Sequence, residues 1–173
     1  MARFGRTLLT AALWACLGVA AATAAPAPRL AIVSFSQLPV PLPLPYDEHA
    51  DADHAVAVAR AQARAEHKLL LIDLGGDWCP DCRILAGVAA LPELKAFMDA
   101  HYRMVTVDVG RFDKNLQIPA RYGIKGRLTG VPSVLIIDPN TDELLDPGHT
   151  AALADARAMT PQALADWLAQ WTP

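Results

Sequence analysis

Leu69-Leu70-Leu71-Ile72-Asp73-Leu74-Gly75-Gly76-Asp77-Trp78-Cys79-Pro80-Asp81-Cys82 decides the fold. An apolar run long enough for one buried strand ends at a glycine pair, and two cysteines follow at a spacing that fits the first turn of a helix. A helix beginning at or just before Cys79 faces that thiol toward the unsatisfied N–H groups of its first turn and the positive end of its dipole. Both favour thiolate, and a free thiol near 8.5 falls to roughly 3.5 to 7.5 at such positions. Cys82, one turn further in, is the more shielded sulfur and can close a small disulfide ring with Cys79. Cys79 is therefore the attacking sulfur and Cys82 the resolving one.

Three features make this stretch resemble the thioredoxin superfamily: the acidic residue Asp73 ahead of the cysteines, the Trp78-Cys79-Pro80-Asp81-Cys82 core, and Gly130-Val131-Pro132-Ser133 entering another apolar strand. With Arg83 and Val107-Asp108-Val109-Gly110-Arg111-Phe112-Asp113-Lys114-Asn115 it is similar to the exported bacterial thioredoxin-like proteins. The resemblance covers about Ala52 to Trp171. It implies an α/β fold, a thioredoxin-like three-layer α/β/α sandwich with a central mixed sheet, and thiol-disulfide exchange through the Cys79-Cys82 pair. It also implies a cis Pro132 packed against the dithiol, with the backbone of Val131 pairing with substrate. Lys125 to Thr129 is longer than the matching connection of simple thioredoxins, which bears on the shape of the substrate groove.

Residues 1–24 read as a signal peptide: Arg3 and Arg6 form a positive n-region, Leu8 to Val19 an apolar stretch, and Ala22-Thr23-Ala24 a small-x-small cleavage site. An uncleaved membrane anchor is the alternative. The formal charge of −3 becomes −5 once Arg3 and Arg6 leave, and an acidic chain without a basic run gives no reason to expect nucleic acid. Cys16 leaves with the leader, so Cys79 and Cys82 are the whole cysteine content of the mature chain and no structural disulfide framework exists. Residues 25–51 form an extended Pro-rich arm, with Pro39, Pro41, Pro43 and Pro45 alternating with other residues and removing backbone donors. The arm is either a linker or packed on the domain surface, and a proline-rich ligand for another protein is the competing reading. Residues 52–173 form the thioredoxin-like domain.

Arg29 to Phe35 has strand-like content. Asp47 to His54 reads as a solvated helix start with Asp51 or Asp53 near the N-cap, rather than a metal site built on His49 and His54. Ala55 to His67 follows as a helix. Ile84, Leu85 and Val88 face one way after Cys82, and Pro92 marks a kink or a new helix running to His101. Val105 to Val109 is a second buried strand, Asp113 to Tyr122 a short helix closed by Gly123, and Val134 to Asp138 a third strand. A tight turn, a return strand at Glu143 to Leu145 and a last helix opened by Thr160-Pro161 complete the order.

A carboxylate on so apolar a strand as Leu69 to Leu74 is desolvated and its pKa raised, which suits Asp73 as the proton acceptor for Cys82; the matching acid of thioredoxins has that role. The competing reading is an Asp that caps a loop. Trp78 shields the dithiol and offers an apolar contact. Pro80 and Asp81 sit where they tune the attacking sulfur. A carboxylate at Asp81 disfavours thiolate, which moves the couple toward the thioredoxin end near roughly −270 mV and away from the strong-oxidant end near roughly −120 mV; exposure would screen its charge.

The expected activity is that of a periplasmic thiol-disulfide oxidoreductase that reduces or isomerises protein disulfides, with disulfide-bearing client proteins and a membrane electron donor as partners. No nicotinamide, flavin or metal signature appears, and the dithiol is the redox centre. A disulfide-forming oxidase and a Cu(I)-binding carrier are the alternatives.

Overall fold

The computed structural model describes residues 24–172. Asp51 caps the first helix, α1 (Ala52–Glu66), with its carboxylate accepting from His54 N–H at 3.0 Å, and His67 ends it in the left-handed region at φ 55°. Strand β1 (Leu69–Gly75) follows, then α2 (Pro80–Ala89), α3 (Pro92–His101) and β2 (Tyr102–Asp108). Pro92 starts a new helix rather than kinking the old one. After α4 (Gln117–Ala120) come β3 (Ser133–Asp138), the short β4 (Glu143–Leu144) and α5 (Pro161–Ala169), which Thr160 caps by accepting from Ala163 N–H.

The sheet order is β2-β1-β3-β4. β1 pairs parallel with β2 and antiparallel with β3, and β4 returns antiparallel on β3, so the sheet is mixed and β1 lies inside it. A strand covered on both faces is apolar throughout, and Leu70, Leu71, Ile72 and Leu74 are all buried. Leu70, Ile72 and Leu74 face the core layer shared with Ala52, Val56, Ala59 and Ala63 of α1. Leu71 joins Val134 and Ile136 in the opposite layer, beneath Leu85 and Val88 of α2, Leu94 and Met98 of α3 and Leu164 and Leu168 of α5. The result is the three-layer α/β/α sandwich. Each fully buried aliphatic side chain contributes about 1.5–3 kcal/mol.

Two readings of local structure are corrected. No strand forms at Arg29 to Phe35; the segment is tied to α5 instead, with Leu30 N–H donating to Gln162 Oε1 and Gln162 Nε2 donating to Pro28 O. Only a short 3-10 turn at Phe35–Gln37 appears there. The helix expected over Asp113 to Tyr122 is confined to Gln117–Ala120, because Phe112 and Asn115 take positive φ (71° and 54°) ahead of it and Pro119 lacks a donor. Gly123, at φ 84°, does close it. The leader reading, residues 1–24, lies outside the described residues except for its last residue, Ala24.

The arm lies across α2. Leu38 is buried in the α2–α3–α5 layer, Arg83 donates to the carbonyls of Leu42 (3.2 Å) and Pro43 (3.4 Å), and Thr106 Oγ1 donates to Pro45 O at 2.8 Å. A Cβ on Gly87 would stand 3.1 Å from Leu42, so the helix offers a glycine where the arm crosses. This path ends by delivering Tyr46 to the end of β1.

Candidate active site

The end of β1, the start of α2 and the turn before β3 converge on two sulfurs. Cys79 is the N-cap of α2 and Pro80 is its first helical residue, so the missing proline donor removes nothing the helix needs. Cys82 N–H donates to Cys79 Sγ at 3.2 Å, so the helix end aims a backbone donor at that sulfur. Both cysteines are free thiols in this structure, Cys79 4 % exposed and Cys82 fully buried. As a thiol, Cys79 donates to the carbonyl of Val131 at 3.4 Å, and the Val131–Pro132 bond is cis. Val131 and Pro132 therefore stand against the dithiol.

The two thiols are unequal. Cys79 is lowered to about 7, chiefly because the Cys82 thiol donates to it, helped by the N–H groups of Cys82 and Asp81 and opposed by burial and the Asp81 carboxylate. Cys82 is pushed up, first by giving that hydrogen bond to Cys79, then by burial. One sulfur is poised to ionise near neutral pH and the other holds its proton.

Asp73 lies on β1 opposite Thr106 and Val134, with no solvent exposure. Neither carboxylate oxygen has a formed hydrogen bond, and burial raises its pKa from 3.8 to about 7, with the Cys79 charge adding to the rise. The carboxyl is part of the buried strand and not a loop cap.

Trp78, next to Cys79 in the chain, is anchored to the loop after β2. It is 37 % exposed, donates from Nε1 to Gly110 O at 2.8 Å, and stacks with Phe112 (5.8 Å) and with the Arg111 guanidinium (4.5 Å). Arg127 lies over Phe112 at 4.0 Å, so a pair of rings flanked by two cations forms a rim. Trp78 also lines a cleft of about 430 Å³, together with Tyr46, Asp47, Glu48, Asp77 and Asp108. In the Lys125 to Thr129 connection, Leu128 turns into the core.

Asp81 is not screened by water. It is buried at 4 % exposure, accepts from Arg157 N–H at 2.9 Å and pairs with the Arg157 guanidinium at 3.2 Å. Arg157 belongs to the stretch between β4 and α5, in which Leu153 and Ala156 are buried and which packs on α2. Sequence reasoning missed Arg157 and also Tyr46, whose hydroxyl reaches Asp73 and Cys82 from the arm; neither carries a local signal. Among the described residues no three His, Cys, Asp or Glu side chains converge as a metal site, so His49 and His54 meet no third ligand.

No curated protein sequence matches the chain. Among solved structures, a disulphide isomerase from Xylella fastidiosa Temecula1 is 36 % identical, covers 74 % of this chain and 96 % of its own, and superposes with a TM-score of 0.67. A DsbH oxidoreductase is 20 % identical over 65 % of this chain and 94 % of its own, with a TM-score of 0.41. A thioredoxin-like family model matches residues 51–139, from the capping Asp51 through the dithiol and the cis-proline to the end of β3. With that match and this fold, the chain belongs to the thioredoxin-like family.

Proposed function

We propose that this chain is an exported thiol-disulfide oxidoreductase that reduces or isomerises the disulfides of client proteins. The observation that carries the reading is the asymmetric dithiol: Cys79, brought to about 7 at the N-cap of α2, beside a buried, protonated Cys82 and a carboxyl with no fixed partner. The family supports thiol-disulfide oxidoreductase activity in general, and the similar Xylella fastidiosa protein is described as a disulphide isomerase.

In the proposed cycle the Cys79 thiolate attacks one sulfur of a client disulfide, forming the Cys79–client bond and releasing the other client sulfur as thiolate. The mixed disulfide rests against Val131 and Pro132. Cys82 then gives its proton to Asp73 and attacks Cys79, closing the Cys79-Cys82 disulfide and releasing the second client thiolate. The chain is left oxidised by two electrons. In an oxidising compartment such a cycle needs a donor, which we assign to a membrane protein carrying electrons from the cytoplasm.

The reducing direction rests on Asp81. Its buried carboxylate opposes the Cys79 thiolate, and a less stable thiolate makes the disulfide harder to reduce. The equilibrium potential of the Cys79/Cys82 couple, measured on the mature chain against glutathione and then dithiothreitol, tests this. A value at or below about −230 mV fits a reductant or isomerase, and Asp81→His shifts it upward. A value near about −120 mV would make the protein a disulfide-forming oxidase.

A further inference from the structure

Tyr46 is 5 % exposed, yet its hydroxyl has no formed hydrogen bond. A buried hydroxyl without a partner is costly, so its placement needs a reason. The chain holds it there by several separate devices. Its backbone N–H donates to Asp77 Oδ1 at 3.1 Å, the preceding Pro45 carbonyl accepts from Thr106, and Arg83 grips the arm two to three residues further back. Gly75 clears the space: a Cβ there would stand 2.5 Å from Tyr46 Oη and 2.8 Å from Cys82 Sγ. The glycine that ends β1 therefore leaves open the gap in which the phenol meets the resolving sulfur. Tyr46 also lies outside residues 51–139, so the device belongs to the arm rather than to the part of the chain matched by the family model.

We propose that Tyr46 is a positioning residue for the resolving step, its hydroxyl donating to whichever of the Asp73 carboxylate and the Cys82 thiolate holds the negative charge. The proton leaves Cys82 for Asp73, so one anion exists on this pair before and after the transfer, and a neutral donor facing both can follow it. The titratable groups that face Asp73 are Tyr46 from the arm and Cys79 and Cys82 from α2; β2 and β3 present Thr106 and Val134 as its register partners. Burial, with the charges of Asp73 and Cys82, pushes the phenol's own ionisation far up, so it stays a donor at every working pH. A phenol facing Asp73 also works against the rise that burial imposes on that carboxyl.

The inference rests on the exchange cycle proposed above but not on its direction. Its test is Tyr46→Phe in the full mature chain, reduced and mixed with excess dithiobis(nitrobenzoate). Cys79 attack releases one nitrothiobenzoate and leaves a mixed disulfide; Cys82 attack releases the second and closes the protein disulfide. Tyr46→Phe is expected to leave the first release within about twofold. The second release should slow about fivefold at pH 7, with its pH midpoint moved up by about one unit, as loss of a donor to a carboxylate requires. An unchanged second phase and midpoint overturn the inference. So does slowing of both phases together with a lowered melting temperature, which marks Tyr46 as an arm anchor only. A wild-type chain that releases neither product overturns the exchange cycle itself, and this inference with it.

Discussion

Asp73→Asn separates the stability of this protein from its chemistry. In the folded chain the Asp73 carboxyl titrates near 7 against 3.8 for an unburied one, because it lies in the core with no formed hydrogen bond. Between those values the native state holds a proton that the unfolded chain has released. The stabilising contribution of the neutral carboxyl is therefore complete below 3.8 and is lost as pH rises through about 7. Integrated over that window the loss is about 4 kcal/mol, a large fraction of the 5–15 kcal/mol typical of a domain. Asparagine has the same shape and does not titrate. Urea unfolding of reduced wild type and Asp73→Asn, at intervals from pH 4 to pH 8, should show the variant gaining on the wild type by about 4 kcal/mol across the range. Asp146, raised from 3.8 to about 6 by burial, titrates in the same window but is present in both chains and cancels in the difference. The same substitution should slow resolution by Cys82 while sparing attack by Cys79, since it removes the proton acceptor of the proposed cycle. A stability difference that changes by less than about 1 kcal/mol from pH 4 to pH 8 would refute the reasoning, because the carboxyl would then be solvated or paired in the fold.

Cys82→Ser leaves the attacking thiol without its resolving partner, so covalent client–protein disulfides should accumulate and appear on non-reducing gels; a chain that turns over normally with this substitution does not use Cys82. Arg157→Ala removes the cation paired with Asp81 and leaves that buried carboxylate uncompensated near Cys79. The Cys79 pKa should rise and the potential become more negative, by up to about one pH unit in the thiolate absorbance titration. An unchanged titration would mean that the Asp81 charge does not reach the sulfur.

What the sequence makes legible here is what sits close together along the chain. The strand Leu69–Gly75, the helix starting at Pro80 and the cysteine spacing share one short stretch, and a seven-residue run buried on both faces has few alternatives to an inner strand. The burial of Asp73 follows from that run alone. The reading of Asp81 went only halfway because its solvation is decided by Arg157, seventy-six positions on, in a stretch with no periodicity to announce that it covers α2. The helix expected over Asp113 to Tyr122 is cut short by positive φ at Phe112 and Asn115; asparagine takes that region readily, but a phenylalanine there is set by the folded loop and has no signal in the sequence.

Tyr46 is the plainest case. Alternating prolines describe the path of an arm but not where it ends, and the glycine that admits the phenol looks, in the sequence, like an ordinary strand terminator. The phenol beside Cys82 and the cation paired with Asp81 thus come from outside the matched family segment, one from before it and one from after it. In this chain the thiol chemistry of the strand–helix dithiol can therefore be set from segments outside residues 51–139. A substitution that loosens the arm, such as Arg83→Ala on α2, which releases the Leu42 and Pro43 carbonyls, should then alter the rate of resolution without touching a residue of the Cys79-Pro80-Asp81-Cys82 turn.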